Sequence, residues 1–251
     1  MSWLKKASFL RILPSIATVL VSWQLTTWIW PAWPGPRHVL GIMVSNFFDT
    51  SFRTALAGSM TRMFIGYVLV MILGIGFGLL LGRFKWLDQL AGSLAVATHA
   101  IPGAAWVPLA MLWFGPTQKA VVFTILLGAV GIVAVSTDTG IREVPPLITR
   151  AARMMGARGV RYFWFVVVPA AIPKMVDGLR LAWAFGWRAL MAGELLTSVS
   201  GLGQRLNVVA KAGQLDQLLA LMTLIAIIGI TIDGLIFKRL EHAVRVRWGL
   251  A

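Results

Sequence analysis

Apolar residues do not alternate along this chain; they arrive in blocks. Six blocks run about 20 residues each, the length at which a helix rising 1.5 Å per residue crosses roughly 30 Å of hydrocarbon. They cover residues 12–30, 63–81, 91–114, 120–137, 179–196 and 218–237. The second and fourth hold no charge, and the sixth holds only Asp233. The fifth contains Arg180, Arg188 and Glu194, and the third is interrupted by His99, Pro102 and Pro108. None has the period of two that a membrane β-barrel needs. The pattern predicts an all-α, polytopic membrane protein with six transmembrane helices, one domain over residues 1–251.

The first block follows Lys5, Lys6 and Arg11, as a signal peptide would, and precedes the breaker-rich PAWPGP at 31–36. Its apolar run is too long for a signal peptide's core and no A-x-A-like cleavage site follows, so it is expected to be a retained anchor. Composition agrees. The chain is 58% hydrophobic and 13% charged, with mean hydropathy +0.80; soluble domains carry roughly a quarter charged residues. Absence of cysteine excludes a disulfide scaffold.

The net charge of +14 raises nucleic acid as a partner, but the placement of the charges answers it. With the N-terminus inside, the inner segments hold Lys5, Lys6, Arg11, Arg83, Lys85, Arg142, Arg150, Arg153, Arg158, Arg161, Lys174, Lys238, Arg239, Arg245 and Arg247. The outer segments hold only Arg37, Arg53, Arg62, Lys119, Arg205 and Lys211. Fifteen against six puts both termini in the cytoplasm and makes the charge a matter of topology. No nucleic acid is expected.

One long inner loop, residues 142–178, separates the fourth and fifth blocks. Pro145 and Pro146 can open a helix, since its first positions need no N–H. Leu147, Ile148, Ala151, Met154 and Met155 then recur at helical spacing, with Arg150 and Arg153 between them. Gly156 is placed to stop it. A second amphipathic piece through Val160, Phe163 and Trp164 is expected to break at Pro169 and Pro173. Such a short helix can serve as a knob for a partner's cleft, or lie among lipid headgroups with its arginines on anionic lipid.

Ala151-Ala152-x-x-x-Gly156, followed by Pro169, Pro173, Gly178 and Arg180, resembles the loop by which permease subunits of bacterial ABC importers dock into their ATPase. AWVPLAMLWFG (105–115), TDTGIREVPP (137–146) and GWRALMAGELL (186–196) resemble the nitrate/sulfonate/taurine branch. The resemblance covers about residues 53–240 and implies a type I importer permease fold. It implies a coupling element of Arg150, Ala151, Ala152, Arg153, Gly156 and Ala157. It also implies a separate ABC ATPase carrying ATP and Mg, a periplasmic or lipid-anchored solute-binding protein, a second permease copy in a homodimer, and a place in the bacterial inner membrane. One departure stands out: Arg150 occupies the position where the family usually has Glu.

No G-x-x-x-x-G-K-[ST] occurs, and Gly-Lys is absent from the chain, so ATP is not expected to bind here in the P-loop manner. His38, His99 and His242 lack metal-ligand spacing, and no cofactor or enzymatic activity is expected of this chain. Ionisable groups at bilayer depth cost about 2.5–3.5 kcal/mol each and ask for a reason. Arg180 can snorkel inward and pair with Asp177. Arg188 is deeper and has no acid at i±3 or i±4; with Trp187 and Glu194 it is a candidate lining for the path of a small anionic solute. It could instead pair structurally with Glu194 or Asp233. Gly74, Gly78 and Gly82 suggest close helix packing, His99 and Pro102 a bend, and Trp28, Trp30 and Trp33 an interfacial belt. A stand-alone transporter or channel is the alternative, but the halves show no internal repeat.

Overall fold

The computed structural model describes residues 2–30 and 33–249. Pro31 and Ala32 of the breaker run and the Ala251 terminus lie outside the described residues, as do the side chains of Lys5, Lys6, Arg11 and His99. The described residues are nearly all helical, without strands: α1 Ser2–Ile29, α2 Pro36–Phe48, α3 Thr50–Arg83, α4 Lys85–Ala100, a 3-10 turn Gly103–Trp106, α5 Val107–Phe114, α6 Gln118–Arg142, α7 Pro146–Met154, α8 Gly159–Tyr162, α9 Val168–Thr197, α10 Leu202–Lys211, α11 Leu215–Ile232 and α12 Lys238–Arg247. Two π-helical turns, Phe163–Val167 and Asp233–Phe237, join α8 to α9 and α11 to α12 without a break. Among the described residues three helices are long and apolar enough to cross a membrane: Thr50–Arg83, Gln118–Arg142 and Leu215–Arg247. Counting the pair 92–98 and 103–114 as one broken span makes four. The charges within α9 keep it below that hydropathy level although it is 30 residues long.

The bundle forms around α6, which packs along both α3 and α9. Small residues allow the approach. A Cβ on Gly78 would lie 2.5 Å from the Ala134 carbonyl oxygen, and one on Gly74 would lie 2.7 Å from the Val133 Cβ. The glycines at i, i+4 and i+8 therefore seat α3 on α6, as their spacing suggests. Apolar residues of all these helices close over the seam, with Met63, Val70, Ile125, Val133 and Leu190 almost fully buried. The bend at His99 and Pro102 is present as a 99° turn between the two arms of the third block. Pro102 opens a 3-10 turn there instead of continuing α4.

Three expectations change. Pro169 and Pro173 do not break the fifth block's lead-in. The helix widens before them, the Val168 N–H reaching back five residues to the Phe163 carbonyl, and the chain stays helical from Gly159 to Thr197. The second block is only part of α3, which at 34 residues is about 51 Å long. Its first turns lie beyond the hydrocarbon length. Asp49 caps this end by accepting from the Ser51 and Phe52 N–H groups; those N–H bonds, the Ser51 bond foremost, and Arg205 hold its carboxyl below its ordinary range. Finally, α2 and α10 are helices where extramembrane connections were expected. Val39 and Met43 of α2 and Leu202 and Val209 of α10 join the main core, so tertiary burial recruits segments too short to signal a span.

Candidate functional sites

The first site is the knob. α7 starts at Pro146 and ends at Met154, and Gly156 follows at φ +85°. The Ala157 N–H bonds the Ala152 carbonyl at 3.0 Å and the Gly156 N–H bonds the Arg153 carbonyl at 3.1 Å, the double closure that needs a residue at positive φ. No atom lies within 4 Å of where a Gly156 Cβ would sit. Glycine is there for its backbone, not for space. Only Ala152 of this helix is buried. Leu147, Met154 and Met155 are 79%, 84% and 87% exposed, an apolar stripe that no described residue covers. Arg150, Ala151 and Arg153 are exposed too, and Ala157 is half-buried. Beside the knob lies a depression of about 380 Å³ lined by Arg153, Ala157, Arg158, Gly159 and Tyr162.

The second site is a cleft between α9 and α11. Trp183 and Trp187 stack at 6.0 Å with 20° between their planes, and both are buried. Together with Ala184, Arg188, Ala226, Gly229, Ile230 and Asp233 they line about 380 Å³. Gly229 admits the Trp187 indole, since its Cβ would stand 2.9 Å from Nε1. The Arg188 guanidinium lies 5.4 Å from the Phe185 ring centroid, and among the described residues it forms no salt bridge. A structural pair between Arg188 and Glu194 or Asp233 is therefore not what the fold makes.

Those carboxylates have other partners. Arg180 grips Asp233 with two bonds of 2.9 Å and reaches Glu241 at 2.6 Å. Arg245 joins Glu241 at 3.1 Å and Asp177 at 3.4 Å. This corrects the expected Arg180–Asp177 pair: the lower end of the sixth block and α12 fold against α9, and Asp233 outcompetes the in-helix neighbour by offering a planar two-bond fit. The network lines a second cleft of about 490 Å³ that shares Ala184 and Asp233 with the first. The two clefts therefore adjoin at Ala184 and Asp233, with Arg180 lining one and Arg188 the other.

Glu194 lies elsewhere. It is 0% exposed and accepts from Arg62 Nε at 3.0 Å, Arg62 Nη2 at 2.7 Å, Ser59 Oγ at 2.9 Å and the Gly203 N–H at 2.9 Å. Arg62 also donates to the Ser200 carbonyl at 2.6 Å. In this conformation Glu194 offers no surface to a solute; it pins α3, α9 and the start of α10 together. Arg62 had been counted with the outer charges, yet it is 4% exposed. The signal in the sequence is Ser59 and Arg62, three residues apart on one face of α3 just ahead of its charge-free block.

Residues 73–246 match the family described as binding-protein-dependent transport system inner membrane component. The chain is 29% identical over 205 residues to the taurine transport system permease protein of Escherichia coli, covering 80% of this chain and 74% of that one. It is 24% identical over 246 residues to the nitrate import permease protein of a Synechocystis strain, covering 94% and 90%. In fold it is similar to a chain of a bacterial ABC transporter involved in the import of the acidic polysaccharide alginate, with a TM-score of 0.65, 13% identity and 96% of each chain covered.

Proposed function

The chain belongs to the family of binding-protein-dependent transport system inner membrane components, and from that premise we propose that it is the multi-pass membrane subunit of an ATP-driven importer for a small solute bearing an anionic group. ATP and Mg act on a separate ATPase subunit, a solute-binding protein delivers the solute from outside, and two copies of this chain enclose the path. Six spans with both termini in the cytoplasm fit the distribution of basic residues. The relatives transport taurine and nitrate by name, and the Arg188 guanidinium, in no salt bridge among the described residues and lining a cleft with Trp183 and Trp187, is a suitable surface for such oxyanions.

The observation that carries the reading is the knob. A helix held outside the bundle, stopped by a Schellman closure at Gly156 and presenting an uncovered apolar stripe, is built to enter a partner. Closure of two ATPases would draw two such knobs together and tilt the α9 helices on which they ride. Gly156→Val tests this in proteoliposomes containing the complete importer. A β-branched residue at φ +85° unwinds the stop, so membrane insertion should persist while solute-stimulated ATP hydrolysis falls at least about tenfold. Full stimulated hydrolysis by this variant would refute the coupling role of residues 146–156.

A further inference from the structure

We infer that the knob docks into an ATPase cleft with an apolar floor and an acidic rim, and that its arginines steer the encounter. This rests on the reading of residues 146–156 as the docking element and adds the chemistry of the partner's surface. From Val144 to Val176 the chain holds no Asp or Glu, yet it holds Arg150, Arg153, Arg158 and Arg161. None of the four makes a salt bridge among the described residues. Arg153 lies 5.7 Å from the Tyr162 ring centroid, a contact that leaves its charge uncompensated. The two acids that flank this stretch, Glu143 and Asp177, face Lys174 at 3.6 Å and Arg245 at 3.4 Å. Arg83 adds to the same field, 5.6 Å from the Phe163 ring. Positive charge is therefore concentrated here, and among the described residues no acid neutralises Arg150, Arg153, Arg158 or Arg161.

The distribution around α7 favours a cleft over a lipid surface. At about 100° per residue, Leu147, Ile148, Ala151, Met154 and Met155 occupy an arc of roughly 120°, and Arg150 and Arg153 centre about 130° away. A headgroup layer receives one arc and would leave these arginines pointing to water. A cleft receives both, the apolar stripe on its floor and the guanidinium groups at its rim. The depression lined by Arg153, Arg158 and Tyr162 adds a concave surface that a projecting rim can fill.

The test uses the complete chain in nanodiscs of phosphatidylcholine alone, with the ATPase subunit of its own importer as the probe. Association is measured at 50 and 500 mM NaCl. Steering charges raise on-rates by about 10-fold or more and are screened by salt. The wild-type on-rate should therefore fall at least about tenfold across that range. Arg150→Gln with Arg153→Gln should start low and respond little to salt. Arg150→Glu with Arg153→Glu should recover when acids on the ATPase rim are changed to Lys. A salt-independent wild-type on-rate would overturn the inference, as would an arginine effect that appears only after phosphatidylglycerol is added. Leu147→Asp with Met155→Asp separates the two levels. If it abolishes association while the arginine variants do nothing, only the steering role fails. If it too leaves association unchanged, the docking reading of the segment fails with it.

Discussion

Removing the guanidinium of Arg62 should do more damage than removing any other arginine of this chain. Arg62→Met keeps the length of the side chain and its apolar stem but deletes three bonds, two to Glu194 and one to the Ser200 carbonyl. The Glu194 carboxylate, 0% exposed, would keep only Ser59 Oγ and the Gly203 N–H. Breaking one side of a buried ion pair costs about 3–5 kcal/mol, because the remaining charge stays desolvated and unpaired. For Arg53, which is exposed and forms no salt bridge among the described residues, the cost should stay below about 0.5 kcal/mol. Thermal unfolding of the detergent-purified protein, followed by loss of monodispersity, compares Arg62→Met with Arg53→Met. Arg62→Met paired with Glu194→Leu should recover much of the loss, since an apolar pair is satisfied where a lone carboxylate is not. If Arg62→Met unfolds within a degree of Arg53→Met, the reasoning is refuted. The pin would then contribute no more than a surface pair.

Arg188→Met should leave assembly and basal ATP hydrolysis intact, because no carboxylate among the described residues depends on Arg188, while uptake of an anionic solute falls severalfold; loss of assembled complex would instead assign it a structural role. Gly78→Ala should destabilise by about 1–3 kcal/mol in the same unfolding assay, as the new Cβ meets the Ala134 carbonyl at 2.5 Å. Gly76→Ala, with nothing within 4 Å of its Cβ, should be neutral or stabilising by up to about 1 kcal/mol. The chain has no cysteine, so Met155→Cys should be shielded from a membrane-impermeant thiol reagent in intact cells and Lys211→Cys labelled. The reverse pattern would overturn the orientation.

Local features of the sequence settled the helical class, the bend at Pro102, the glycine seam of α3 on α6 and the start and stop of α7. Each is decided within a few residues: an apolar run long enough for a bilayer, a ring that fixes φ, a missing Cβ, a backbone free to turn left-handed. The same locality explains the errors at Pro169 and Pro173: a π-turn directly before Pro169 carries the helix into α9 at a position that tolerates proline, and Pro173 sits inside α9 without ending it. Charge pairing was the least legible, because the partners are far apart in the chain. Glu194 meets Arg62 across 132 positions and Arg180 meets Asp233 across 53, distances that no periodicity reports. Only the packing of the Asp233–Phe237 turn and α12 against α9 decided which acids Arg180 holds, and among the described residues no acid is left to form a salt bridge with Arg188. Sequence showed that α9 carries costly charges into the membrane; tertiary structure decided which of them are held and which one still faces a cleft.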